Sequence, residues 1–303
     1  MVESTFLSKH KGLRLTERIA PISIGMPVYN GAKYIREALD SLLMQTFSDF
    51  ELVISDNAST DDTKAICEMY ALKDPRIKYW RTASNKGASM NFQFVLEQAK
   101  GEFFMWAAAD DRWDCDWVER LYTQVKNKKQ TACIGNVILM DENSSPLRHP
   151  ANAIKLEFTG FRLWRRLSFY VVYEGLGKAN LFYAMYPRKL LQLSEINRYS
   201  IDYQILFSLL KHVAYMHVDG PCLHKRVHSE GAGVAAQRLW RAPYIFAPFR
   251  LLGSDLKIVA NYMNTANVGL KLLLLLLIPL KLFTAFAFRL RKGVLTLNNS
   301  IDT

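Results

Sequence analysis

Two adjacent carboxylates, Asp110 and Asp111, directly follow the apolar run Phe103-Phe104-Met105-Trp106-Ala107-Ala108-Ala109. Carboxylates at the end of a buried strand are costly unless something positive meets them. A divalent cation carrying a diphosphate answers that need, because hard cations take oxygen ligands and neutralise phosphate charge. An exposed strand-end turn answers it too, Asp being a common turn residue, and the pair alone leaves both readings open. Other polar residues recur in the same position: Tyr29-Asn30 follows Ile22–Val28, and Asp56-Asn57 follows Glu51-Leu52-Val53-Ile54-Ser55.

The elements that would carry these residues alternate. Ile22–Val28 reads as a strand ended by the turn residues Asn30 and Gly31, and Ile35, Ala38, Leu39, Leu42 and Leu43 then share one helical face. Glu51–Ser55 is the next strand, with Ser59 to Asp62 able to cap a helix through Ile66, Met69 and Tyr70. Ile77–Trp80 reads as a third strand, Asn91–Ala99 as a helix, and Glu102–Ala107 as a fourth strand. This alternation implies parallel βαβ units, with ligands at the carboxyl ends of the strands. Farther on, a helix is expected through Trp117, Leu121 and Val125, a strand over Ala132–Met140, and a loop over Asp141–Ala153. Ser200 is expected to cap a helix carrying Ile201, Ile205, Leu206, Leu209 and Leu210.

The 303 residues suffice for a large core, and a net charge of +11 points to an anionic partner. The positive charge concentrates after Arg238, where only Asp255 and Asp302 are acidic. Cys67, Cys115, Cys133 and Cys222 form no CxxC pair, which fits reduced buried thiols better than a disulfide frame or zinc site. Met1–Arg18 is polar and lacks the apolar core of a signal peptide, so the working part of the chain is expected in the cytoplasm.

Residues 20–120 resemble the opening of family 2 glycosyltransferases. The matching positions are Pro27-Val28-Tyr29-Asn30, Tyr34-Ile35, Ala38-Leu39, Gln45-Thr46, Asp56 with Ser59-Thr60-Asp61, Asn85, Gly87, Asn91, Ala99 to Phe103, and Ala109 to Trp113. The resemblance implies a GT-A fold: an α/β, Rossmann-like, mostly parallel sheet flanked by helices. It implies an inverting transferase using a nucleotide diphosphate sugar and Mg²⁺ or Mn²⁺. Pro27, Tyr29, Asn30, Asp56, Asn57, Asn85, Gly87, Asn91, Asp111 and Arg226 would then line the donor pocket, with Asp56 facing base or ribose. The alternative for Asp56 is an Asx-type cap of the following helix. Asp110 and His228 would serve the metal, although Ala108 stands where the family's Asp-x-Asp signature has its first acid.

Asp202 would take the proton of the attacking acceptor hydroxyl; the alternative is an acid complementing a helix N-terminus. Glu174, amid Gly175 and Gly177, either lines the acceptor pocket or is a plain loop residue. Arg226 and His228 resemble the family's later Arg-x-His element, and strand alternation puts both on one face, where they could neutralise the leaving diphosphate. A binding or scaffold protein on a degenerate fold is the rival, motivated by Ala108. A nucleotidyltransferase would need a phosphate-clamping loop, and only Gly31 and Lys33 lie after the first strand. No nucleic-acid motif is present.

The chain thus divides into a polar extension (1–19), a GT-A domain (20–237, with a donor half 20–120 and an acceptor half 121–237) and a basic, amphipathic and hydrophobic helical tail (238–303). Leu272–Leu280 and Leu282–Phe288 are broken by Lys281 and fall short of the roughly 20 apolar residues of a span. The tail therefore reads as an interfacial or re-entrant helix pair on the cytoplasmic face of a membrane, peripheral or monotopic, or else as an oligomer interface. Membrane attachment in turn suggests a lipid-linked saccharide acceptor in polysaccharide assembly.

Overall fold

The computed structural model describes residues 18–149, 151–192, 202–227 and 247–299. In chain order the elements are β1 (Ile22–Val28), α1 (Ile35–Leu43), β2 (Phe50–Asp56), α2 (Thr63–Lys73), β3 (Ile77–Arg81), α3 (Ala88–Gln98), β4 (Phe103–Trp106), β5 (Arg112–Trp113), α4 (Trp117–Val125) and β6 (Thr131–Met140). There follow α5 (Arg162–Val171), two 3-10 turns (Glu174–Leu176 and Lys178–Tyr183), β7 (Tyr186–Pro187), α6 (Arg188–Gln192), α7 (Asp202–Leu209), β8 (Ala214–Arg226), α8 (Ala247–Asn264), α9 (Val268–Leu276) and α10 (Ile278–Asn299).

One sheet runs β3-β2-β1-β4-β7, with β1 to β4 parallel and β7 antiparallel at the edge. Every residue of β1 is buried, as expected for a central parallel strand covered on both faces. Gly25 permits that cover: a Cβ there would stand 2.6 Å from the Phe104 ring and 2.9 Å from Val95 of α3. Pro27 lies beyond the last β4 pairing, Gly25 with Trp106, where a missing N–H interrupts no bond to that neighbour.

A second sheet, β5-β8-β6, was not expected from the sequence. β5 pairs antiparallel with β8, Arg112 opposite His224, which draws the carboxyl end of β8 against the residues just before β5. One helix start also differs from the sequence reading. α3 begins at Ala88 rather than Asn91, because Gly87 takes φ +85° and its carbonyl receives the Asn91 N–H. At α2 the capping carboxylate is Asp61, within the expected stretch from Ser59 to Asp62; it accepts from the Thr63 N–H and hydroxyl, while the Ser59 hydroxyl receives the Asn30 N–H. The expected Ser200 cap lies outside the described residues. The cysteines are free, and Cys115 is exposed rather than buried.

The C-terminal helices dock on the domain through a buried ionic cluster. Lys281 of α10, which interrupts the apolar run in the sequence, is 2% exposed. Its ammonium donates to Glu174 Oε1 (2.7 Å) and the Tyr170 carbonyl (2.9 Å). The same Glu174 oxygen accepts from Lys178 (2.9 Å) and from the Tyr262 hydroxyl of α8 (2.8 Å). Burial works to raise the Glu174 carboxyl, but Lys178 and Lys281 outweigh it and hold it down at about 2. Burial, helped by the Lys281 charge, pushes Lys178 down to about 7 despite Glu174. Glu174 is therefore neither a pocket-lining acid nor a plain loop residue: its carboxylate joins the tail to the domain.

Candidate functional site

The turn at Asp110-Asp111 leaves β4 and enters β5. Trp106, at the end of β4, is fixed by stacking on Phe182 (4.3 Å between ring centroids) and by donating from its indole N–H to the Phe92 carbonyl. Asp110 is half-buried and Asp111 buried. Asp111 Oδ1 accepts the Arg226 backbone N–H at 2.8 Å, while its buried Oδ2 has no hydrogen-bond partner among the described residues. Burial and the neighbouring Asp110 charge push the Asp111 carboxyl up to about 8, against the opposing charges of Lys225 and Arg226.

Arg226, expected to line the donor pocket, has its guanidinium turned onto protein groups. Its Nε donates to the Asp110 carbonyl (2.9 Å), and Nη1 to the Asp141 and Glu142 carbonyls and the Ser144 hydroxyl. Nη2 donates to Glu37 Oε2 (2.5 Å), and the Tyr34 ring covers the guanidinium at 4.4 Å. With its side chain 1% exposed, Arg226 rests every guanidinium nitrogen on a protein acceptor. It braces the acidic turn, tying it to α1 and to the loop after β6. His228 lies outside the described residues. Asp202 opens α7 as expected, but its side chain lies outside the described residues too.

Asp56 is also turned inward. Oδ1 accepts the Ser59 N–H (2.8 Å), and Oδ2 accepts the Tyr79 hydroxyl (2.9 Å) and the Arg81 guanidinium. The carboxylate is wholly buried and makes the Asx-type turn that was the alternative for it, with a counter-ion added. A buried carboxylate needs a cation, and the parallel register supplies one by placing Arg81 of β3 beside Asp56 of β2. That register was the available signal for Arg81, which the sequence reading missed.

Asn57, Asn85, Gly87 and Asn91 come together as one network. Asn57 Nδ2 donates to Asn85 Oδ1 (2.9 Å) and the Gly87 carbonyl (3.2 Å), and its Oδ1 accepts the Lys86 N–H (2.8 Å). Asn91 Nδ2 donates to the carbonyls of Val28 and Ser55, at the ends of β1 and β2. Its buried Oδ1 has no partner among the described residues. These amides hold the β3–α3 loop against the strand ends. Asn30, at φ +51°, accepts from the Thr60 N–H, and Tyr29 beside it is half-exposed. Pro27 is buried within β1.

Among the described residues no three His, Cys, Asp or Glu side chains converge as a metal cage. A divalent cation shared with a diphosphate needs few protein ligands, since phosphate oxygens and water complete its shell. The two carboxylates of the acidic turn, with the orphaned Oδ2 of Asp111, fit such an ion. A cation there would also favour the ionised carboxyl that burial disfavours.

A mostly parallel sheet whose carboxyl ends carry Asn30, Asp56-Asn57 and an acidic turn defines a GT-A fold. A mannosyltransferase from Pyrobaculum calidifontis, PcManGT, solved with GDP-Man and Mn²⁺, shares it: TM-score 0.53 and 16% identity, covering 93% of this chain and 88% of that one. Residues 23–193, more than half of the chain, match the profile of Glycosyl transferase family 2. The chain belongs to that family. Glycosyltransferase GlyG of Streptococcus pneumoniae is 32% identical over 122 residues, 40% of each chain. The putative teichuronic acid biosynthesis glycosyltransferase TuaG of Bacillus subtilis is 29% identical over 126 residues, 42% of this chain and 50% of its own. The matches thus span half or less of these relatives.

Proposed function

We propose that the protein is an inverting glycosyltransferase that moves a sugar from a nucleotide diphosphate donor to a hydroxyl of a lipid-linked saccharide. The carrying observation is the acidic turn at the carboxyl end of the central parallel strands, with a buried Asp111 oxygen lacking a protein partner. Asp110 and Asp111 would hold Mg²⁺ or Mn²⁺, which supplies charge neutralisation for the departing diphosphate. Asp202, in the first turn of α7, takes the proton of the acceptor hydroxyl as that oxygen attacks the anomeric carbon. A single displacement of this kind inverts the anomeric configuration. Arg226, through its bond to the Asp110 carbonyl and its N–H on Asp111, keeps the acidic turn in register. The wall of amides from Asn57 to Asn91 shapes the donor side.

The setting is the cytoplasmic face of a membrane, in the assembly of a cell-surface polysaccharide. No single described helix is long and apolar enough to cross a membrane, but α9 and α10 form a pair bent by 50° with suitable length and composition. Leu272, Leu275, Leu276, Leu280, Phe283 and Phe286 are exposed on that pair, with Lys271 exposed beside them. An apolar surface edged by lysine suits an interfacial hairpin on anionic lipid. TuaG, by its name a putative teichuronic acid transferase, supports the polysaccharide setting.

The test is nucleoside diphosphate release from a panel of UDP-, GDP- and dTDP-sugars with Mn²⁺, the protein being held in detergent. Wild type should turn over one donor, and Asp110→Ala and Asp202→Asn should each lower the rate by about 10²-fold or more with folding intact. Unchanged turnover in either variant sinks that residue's role. Metal-dependent nucleotide binding by wild type without any turnover or transfer would favour the scaffold reading that Ala108 motivates.

A further inference from the structure

The acidic turn is flanked by two consecutive cations, and only Arg226 is saturated by the protein. Strand alternation sends Lys225 to the face of β8 opposite Arg226. There its ammonium donates to Asn180 Oδ1 at 3.1 Å and lies 5.0 Å from the centroid of the Tyr183 ring. Among the described residues no carboxylate pairs with it, and Asn180 is the one protein acceptor it reaches. Yet β8 runs directly against the acidic turn, since the next N–H along, that of Arg226, bonds Asp111. A lysine held by one neutral amide, beside a carboxylate pair, with donors to spare, is placed to receive an anion.

We propose that Lys225, held by Asn180 over Tyr183, forms a subsite for a phosphoryl oxyanion beside the acidic turn. The inference rests on the transferase reading above and adds to it the identity of the substrate-facing cation. Two sources share this chemistry: the diphosphate of the donor and a phosphate carried by the acceptor. Lys225 touches the anion directly, whereas Arg226 acts only through the turn that it braces.

Calorimetric titration of the full chain in detergent tests this, first with UDP, GDP and dTDP in Mn²⁺. A charge-assisted hydrogen bond contributes about 1.5–3 kcal/mol, so Lys225→Gln should weaken the best-bound nucleoside diphosphate by about 10- to 100-fold. Lys225→Arg should stay within about threefold. Asn180→Asp gives Lys225 an internal counter-ion and should reproduce the loss by a second route, which decides the matter should the glutamine variant misfold. Inorganic phosphate titrated at saturating nucleoside diphosphate separates the sources. Weakened phosphate binding with unchanged diphosphate binding assigns the subsite to the acceptor. Unchanged affinity for both probes in a folded Lys225→Gln or Asn180→Asp overturns the proposal. Failure of wild type to bind any of the three nucleotides refutes the transferase reading, and the subsite falls with it.

Discussion

Replacing Glu174 should be far more damaging than replacing Lys281, although the two residues share one ion pair. Glu174→Gln leaves two buried ammonium groups, Lys178 and Lys281, without a carboxylate. Removing one partner of a buried pair costs about 3–5 kcal/mol because the other charge stays uncompensated. Lys281→Met leaves Glu174 balanced by Lys178 and fills the space with an apolar chain, for a cost of about 1 kcal/mol. At roughly 2 °C of melting temperature per kcal/mol for a chain of this size, the glutamine variant should lose about 6–10 °C and the methionine variant about 2 °C. The pH dependence carries a second signature. The Glu174 carboxyl lies at about 2 in the fold against an ordinary 4.5, a difference of about 3 kcal/mol. That stability is fully present above pH 4.5 and is lost as the pH falls toward 2, so Glu174→Gln should lack this acid limb. Lys178, lowered from 10.5 to about 7, binds fewer protons in the fold than when unfolded across that interval. Its contribution therefore rises with pH between those values. Thermal unfolding from pH 3 to 9 reads both effects. A methionine variant as unstable as the glutamine variant, or a glutamine variant with an unchanged acid limb, would refute the reasoning.

Two further outcomes are expected. Arg226→Lys cannot reproduce the fork that reaches Asp110, Ser144 and Glu37, and should lower stability by about 2–3 kcal/mol in urea unfolding while weakening nucleotide binding in step. Reduced nucleotide affinity at full stability would instead mean that Arg226 touches the diphosphate. Wild type should sediment with phosphatidylglycerol vesicles, and the double change Leu276→Asp with Phe283→Asp should cut that binding by more than about tenfold. Unaltered sedimentation refutes membrane docking by this face, and a dimer in gel filtration that the double change dissolves assigns the face to a second copy of the chain.

The strand–helix series from Ile22 to Trp106 was legible because each element there is long enough to show its period. β5 and β7 were not, since two residues carry no alternation, and with β5 the whole second sheet escaped notice. The positions of Asp56, Asn57 and the acidic turn at strand ends were also readable, but what each polar group touches was not. Sequence shows that Arg226 and Asp56 are charged. Only the register of β5 on β8, and of β3 on β2, shows that protein partners already satisfy them. Lys281 misled for the same reason: a lone lysine in an apolar run looks like a surface break until a buried carboxylate is found opposite it.

The Glu174 cluster also sets a distance. The 3-10 turn that carries Glu174 passes through Gly177 into the turn that carries Asn180 and Tyr183, and α10 is bolted to the first of these. If the hairpin rests in a bilayer, the turn that carries Asn180 and Tyr183 stands at one altitude above the lipid and cannot rise or sink without breaking buried charges. Such a protein reads the height of its acceptor as well as its chemistry. A hydroxyl presented close to the membrane would be in reach, and the same hydroxyl at the end of a longer chain would have passed the site by.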